Sequence, residues 1–222
     1  MDFPYIDIHT HHCGEKPGII TVQSYFLQEV NPSITTSFTA GIHPWHVNGF
    51  SIEEVKILLE NLIGHPGLIG IGEIGLDRVS STAYDQQKRI FEAQLLFAEK
   101  YNFPIVIHVV KSWNDMIVYL KKVHVPFILH GYMASKEITR QLIQIGAYFS
   151  LGASIMNPNF RFHEVIKTIP LSSLFLETDE STVPIEGIYL ELSKIKGISL
   201  NDLKCQIYEN YIKLFHLSNN VF

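Results

Sequence analysis

Pro104-Ile105-Val106-Ile107-His108 and Pro126-Phe127-Ile128-Leu129-His130 follow one pattern twice: an apolar run of strand length that ends on a histidine. One histidine at a strand end is more often a hydrogen-bonded structural residue than a ligand. Two at the ends of consecutive β-type runs are harder to set aside. Working outward, short β-type runs recur at Tyr5–His9, Ile19–Tyr25, Thr35–Ala40, Leu68–Glu73, Ala147–Leu151 and Leu174–Thr178, several of them ending in polar residues, which makes eight candidate strands in all. Amphipathic segments separate the later ones, and strand–helix alternation of this kind points to a mostly parallel sheet with helices outside. An open, doubly wound sheet would satisfy the alternation too. The barrel is preferred because several different strands end in ligand-type residues, and only a barrel gathers all those ends on one face. The expectation is therefore α/β, a TIM (β/α)8 barrel, as one compact domain over residues 1–222.

The helices have sequence punctuation. Ser51 and Glu54 have capping-box spacing, Val55, Leu58, Leu59 and Leu62 follow at helical period, and Gly64 would end the segment. Asp85 is placed to cap a second helix with a stripe of Ile90, Phe97, Ala98 and Tyr101. Ser112 with Asp115, Ser135 with a closing Gly146, and Ser199 with Asp202 start three more. Asn210 lies on the apolar stripe of the last helix, where a buried amide needs partners; it reads as structural support for the strand ends.

At 222 residues, 46% apolar and 18% charged, the chain has the size and composition of one soluble globular domain. No apolar run approaches the roughly 18 residues a membrane span needs, and no signal peptide is expected ahead of the motif at Asp7. Cys13 and Cys205 are too far apart in sequence for a CxxC site and too few for a disulfide framework. Cytoplasm is the default location. A formal charge of −5 argues against a broadly basic nucleic-acid surface but leaves room for a local one.

The chemistry is in the strand ends. His9 and His11 sit in Asp7-Ile8-His9-Thr10-His11-His12, and residues two apart on a strand share a face, so both imidazoles are available to one ion. Glu73 closes Leu68-Ile69-Gly70-Ile71-Gly72-Glu73 and shares parity with Ile69 and Ile71, which aims its carboxylate at the interior. A carboxylate there must be protonated, paired or bound to a cation; Arg78 and Lys111 are the nearest candidates for pairing. Asp179 follows Leu174-Phe175-Leu176-Glu177-Thr178, and Glu177 or Glu180 compete with it for the active carboxylate role. Imidazole nitrogens and carboxylate oxygens without a thiolate suit Zn²⁺, Mn²⁺, Fe²⁺ or Mg²⁺ and do not choose among them.

Taken in order, Asp7-Ile-His9-Thr-His11, Gly41-Ile-His43-Pro44, Gly72-Glu73-Ile-Gly75-Leu-Asp77, the strand to His108, His130 and Glu177-Thr-Asp179 resemble the TatD family of metal-dependent hydrolases, within the amidohydrolase-like barrel superfamily. That resemblance implies two divalent ions, one held by His9, His11, Glu73 and Asp179, the other by Glu73, His108 and His130. It implies phosphodiester cleavage, with Asp179 orienting or deprotonating the attacking water and His43 facing the substrate phosphate. The expected partner is a phosphate-containing substrate, DNA among them, with no membrane association, and the expected state is a monomer or weak homo-oligomer. Three stretches depart from the family pattern: Val109-Val110-Lys111 after His108, Gly131-Tyr132-Met133-Ala134 after His130, and Glu180-Ser181-Thr182-Val183-Pro184 after Asp179. Lys111 is a candidate phosphate contact as a point charge. An amide or lactone hydrolase, a histidinol-phosphatase-like relative and a non-enzymatic metal-bound scaffold are the competing readings; the GEIGLD segment counts against the second.

Overall fold

The computed structural model describes residues 3–12, 14, 16–158 and 162–215. Cys13 lies outside them, and Cys205 is a free thiol. All eight expected strands are present: β1 Tyr5–Thr10, β2 Ile19–Phe26, β3 Phe38–Gly41, β4 Leu68–Asp77, β5 Ile105–Val110, β6 Phe127–Leu129, β7 Tyr148–Leu151 and β8 Leu174–Leu176. They follow chain order in one sheet, and β2/β3, β3/β4, β4/β5, β5/β6 and β7/β8 pair in parallel. The helices are α1 Ile52–Glu60, α2 Tyr84–Tyr101, α3 Trp113–Leu120, α4 Lys136–Gln144, α5 His163–Thr168, α6 Ile185–Lys196 and α7 Leu200–Leu214. None of the described helices is long and apolar enough to cross a membrane. The chain divides into two compact units, Gln23–Leu129 and the two chain ends up to Val22 and from His130 on.

In the Gln23–Leu129 unit, α1 starts on the expected capping box: Ser51 Oγ accepts from Glu54 N at 3.2 Å, and Glu54 Oε2 accepts from Ser51 N at 2.8 Å. Val55 and Leu59 are buried as their spacing requires. Asp85 does not cap α2. The cap position is Ala83, which gives no side-chain bond, and Asp85 lies in the first turn. Two glutamines on the buried face of α2 have a different task. Gln87 accepts from Asp77 N at 2.8 Å and donates to Asp77 O at 2.9 Å, and Gln94 treats Ile42 in the same way at 2.7 and 3.1 Å. Each amide thus satisfies both backbone groups of a residue at or just past a strand end, where the ladder has run out of partners. Ser112 precedes α3 but its hydroxyl turns back to Val110 O at 3.0 Å, and Asp115 accepts from Arg78 Nη2 and Tyr84 OH, both at 2.6 Å.

β4 is longer than expected, and Glu73 lies within it, not at its end. Ile71 pairs with Ile105 and Ile74 with Ile107, so three steps on β4 face two on β5. That one extra residue is a bulge, and a bulge breaks the two-residue alternation on which the parity of Glu73 with Ile69 and Ile71 depended. Beyond it, Gly75 lies opposite His108, and a β-carbon there would come 1.9 Å from His108 O. Only glycine permits this approach, which sets the position of His108 against β4.

In the unit formed by the chain ends, β8 is extended toward β1 by a bridge between Thr10 and Asp179. Asp179 N donates to His9 O at 3.0 Å, and His11 N donates to Asp179 O at 3.2 Å. Tyr189 of α6, fully buried, accepts from Ile6 N at 2.9 Å and donates to Ile6 O at 3.1 Å. Asn210 of α7 donates to Leu171 O at 2.8 Å and Leu174 O at 2.9 Å. It therefore supports the entry into β8, the opposite end of that strand from Asp179. Ser135 and Ser199 cap α4 and α7 as expected, and Gly146 closes α4 with φ +79°. The sequence reading does not anticipate α5 and α6: neither has a side-chain cap, and α6 begins directly after Pro184.

Candidate metal centre

In the chain-end unit, His9 and His11 share a face as their spacing predicts. Each Nε2 is 3.7 Å from Asp179 Oδ1. Ligand atoms held about 2.0–2.2 Å from a tetrahedral ion are roughly 3.3–3.6 Å from one another, so the spacing fits a shared cation. His130, just past β6, lies against His9 with ring centroids 4.5 Å apart and the planes tilted by 37°, and His9, His130 and Asp179 offer ligand atoms all within 4.8 Å. Asp179 reaches this position from a left-handed backbone conformation, φ +52°, which Asp tolerates better than most residues.

The structure separates the competing carboxylates. Glu177 is wholly buried; its Oε1 accepts from Gly131 N at 2.5 Å and lies 3.6 Å from His130 Nδ1. Burial alone would raise its pKa, but the His130 contact, the His9 charge and the Ser150 hydroxyl hold it below the ordinary carboxylate range. Glu177 orients His130, while Asp179, with 40% of its side chain exposed, is the one beside His9 and His11. Asp7 accepts from Thr178 N at 2.9 Å and Thr178 Oγ1 at 2.7 Å, which fixes the residue before Asp179. Burial pushes Asp7 up to about 6 against those hydrogen bonds.

In the Gln23–Leu129 unit, His43, Glu73 and His108 form a second group of ligand atoms within 4.8 Å. Glu73 Oε1 is 2.7 Å from His108 Nδ1 and 3.1 Å from His43 Nε2. His43 Nδ1 accepts from Trp45 N at 3.2 Å, so the proton of a neutral His43 is on Nε2, directed at Glu73. Arg78, one candidate for pairing with Glu73, is engaged by Asp115 and lies 4.1 Å over the Tyr84 ring. Lys111 is exposed, with φ +50°, and belongs to neither group.

Asp77 completes this group. Its Oδ2 accepts from Trp45 Nε1 at 2.6 Å and lies 3.4 Å from His108 Nε2, while Oδ1 accepts from Val79 N at 2.7 Å and Ser80 N at 3.3 Å. Burial would raise its pKa, but the bonds from Trp45, Val79 and His108 outweigh it and hold the carboxyl below its usual range. With Nε2 facing Asp77, His108 presents Nδ1 toward Glu73, the arrangement in which a second carboxylate sets the tautomer of a ligating histidine. Asp77 and Glu177 stand within the quoted motifs, but no local pattern announces their orienting roles. Both groups gather nitrogen and oxygen donors within 4.8 Å of one another, a donor set that suits a divalent cation, although the 2.7 and 3.1 Å separations in the second group are those of hydrogen bonds.

Comparison with known proteins bears on this chemistry. The family described as TatD related DNase matches residues 25–216. The metal-dependent hydrolase YabD of Bacillus subtilis is 32% identical over 194 residues, covering 78% of this chain and 76% of that protein. The metal-dependent hydrolase YjjV of Escherichia coli is 28% identical over 152 residues, 66% of this chain and 59% of that one. Its crystal structure superposes with a TM-score of 0.82 at 19% identity, covering 96% of this chain and 98% of that one. The human protein named deoxyribonuclease TATDN3 is 24% identical, covering 92% of this chain and 81% of that protein. The structural likeness, with eight strands in chain order, shows the expected TIM-barrel fold.

Proposed function

The chain belongs to the TatD-related DNase family of metal-dependent hydrolases, and from that premise we propose that it hydrolyses phosphoester bonds of nucleic-acid ends, nucleotides or small phosphate esters. The observation that carries the reading is the pair of imidazole–carboxylate clusters, His9/His11/His130/Asp179 and His43/Glu73/His108, which gather candidate ligand atoms closely together. In this proposal His9, His11, Glu73, His108, His130 and Asp179 would hold the two divalent ions that the family resemblance implies. Bound divalent ions supply Lewis acidity and lower the pKa of water. Asp179, partly exposed, positions the attacking water and takes its proton. His43 faces the substrate phosphate, as the family resemblance implies, and Lys111 adds a positive charge at the rim. A human relative that carries the name deoxyribonuclease supports nucleic acid as the substrate class.

The test is elemental analysis of the purified protein, combined with a screen of phosphoesters and single- and double-stranded DNA with Mg²⁺, Mn²⁺ or Zn²⁺ added. Turnover that chelator abolishes and metal restores is expected, with Glu73→Ala losing both activity and metal. Full metal occupancy with no phosphoester turned over, or a fully active Glu73→Ala variant, would overturn the proposal.

A further inference from the structure

We infer that the indole of Trp45 is a stacking platform for the base of a nucleotide substrate, which makes it a specificity-determining residue for the hydrolysis proposed above, on which the inference rests. Tryptophan is highly buried on average and is the largest apolar side chain to leave in water. Trp45 is 55% exposed. Single exposed apolar residues are ordinary, so exposure alone decides nothing. What distinguishes Trp45 is that it is exposed and yet held in place.

The indole N–H donates to the buried Asp77 carboxylate at 2.6 Å, and the backbone N–H of the same residue donates to His43 Nδ1 at 3.2 Å. The indole makes T-shaped contacts with the rings of His43, at a centroid distance of 4.8 Å and 88°, and of His108, at 6.1 Å and 77°. The backbone is fixed too: Trp45 lies in the 3-10 turn Pro44–Gly49, whose first carbonyl accepts from Thr82 Oγ1 at 2.7 Å. One residue on, the exposed His46 packs edge-on against Phe26 at 4.6 Å. A flat, pre-oriented aromatic surface thus stands beside the Glu73–His108 group. Because the ring is already immobile, a planar ligand ring that covers it costs little further side-chain entropy. Every nucleobase has a π-face, so stacking of this kind favours bases over base-free esters without choosing among bases.

The chain has two tryptophans, so Trp113→Phe leaves Trp45 as the sole indole reporter. Adenosine 5′-monophosphate should quench its emission saturably, while ribose 5-phosphate, which lacks the base, should not. By calorimetry, Trp45→Ala should reduce the preference for adenosine 5′-monophosphate over ribose 5-phosphate by about 5- to 150-fold, the range of base–aromatic stacking. Trp45→Phe, which keeps a ring but loses the N–H, should retain most of that preference. Equal quenching by both ligands, an equal shift of both affinities in Trp45→Ala, or loss of preference in Trp45→Phe as complete as in Trp45→Ala would each overturn the inference. The last result would place the effect in the bond to Asp77. Quenching by adenosine 5′-monophosphate with no phosphoester ever hydrolysed would instead overturn the proposed function and leave the platform standing. Hydrolysis with a base preference indifferent to Trp45 would do the reverse.

Discussion

Asp77→Asn replaces one oxygen by an amino group at a position where four donors converge. Trp45 Nε1 and His108 Nε2 face Oδ2, and the Val79 and Ser80 N–H groups face Oδ1. A carboxylate accepts at both oxygens, whereas an amide accepts at one end and donates at the other. If the amide oxygen keeps Val79 and Ser80, its NH₂ confronts the indole N–H, and His108 Nε2 must become an acceptor. The His108 proton then moves to Nδ1, the nitrogen that faces Glu73, and the lone pair needed for ligation is lost. If the amide turns round, two backbone donors meet an NH₂ group. Either way at least one buried donor goes unmet, at about 1–3 kcal/mol. For a chain of this size that is a fall of roughly 2–12 °C in melting temperature, at about 2–4 °C per kcal/mol. Loss of a partner that orients a ligating histidine should also weaken metal binding by about 10–100-fold. Competition with a chromogenic chelator measures the affinity, and long-range ¹⁵N–¹H NMR reports the His108 tautomer. A variant with native melting temperature, native metal affinity and an unchanged tautomer would refute the reasoning.

Asp179→Asn should lower turnover by at least about 10²-fold, the low end for positioned acid–base groups; steady-state kinetics near the wild-type rate would reassign the water-positioning role. Gly75→Ala forces β4 and β5 apart, since its β-carbon would meet His108 O at 1.9 Å. A loss of about 3 kcal/mol, at the upper end for overpacking, is expected in urea melts, and a native midpoint would show that the strands yield easily. Asn210→Leu abandons the carbonyls of Leu171 and Leu174 and should cost about 2–4 kcal/mol in stability with kcat of the folded fraction preserved; a stable protein with damaged kcat would contradict its assignment to the entry of β8. Lys111→Ala should raise KM for phosphate substrates, and unchanged kinetics would return Lys111 to the solvated surface.

The strands were legible because their apolar runs are short and cleanly bounded, and the histidines were legible because they end those runs. His9 and His11 needed only the two-residue period of a strand. Glu73 was found by its parity with Ile71, a count that a bulge between Ile71 and Ile74 makes less secure. It is buried beside His43 and His108 all the same. The choice between Glu177 and Asp179 depended on which residue bridges to β1, a pairing between the two extremes of the chain that local pattern does not encode. Gln87, Gln94 and Asp77 escaped notice for a related reason. Gln94 binds Ile42 52 residues away, Asp77 binds rings 31 and 32 residues away, and Gln87 binds groups that only the turn between β4 and α2 brings to it. Helix α6 has no capping side chain, so nothing marked its start except Pro184.

The bridge from Thr10 to Asp179 also bears on how the protein is made. Thr10 and Thr178, joined by a hydrogen bond, are 168 residues apart in sequence. At about 5–20 residues per second, roughly 8–34 s of translation separate the emergence of His9 and His11 from that of Asp179. The stretch bearing His43, Glu73 and His108 is contiguous and leaves the ribosome well before then. One group of candidate ligand side chains is thus available to a growing chain well before the other, which can be assembled only once Asp179 has emerged. The nascent protein therefore passes through a stage in which His9 and His11 have no carboxylate from Asp179 to complete their set, and that group of candidate ligands comes together only after that residue has been made.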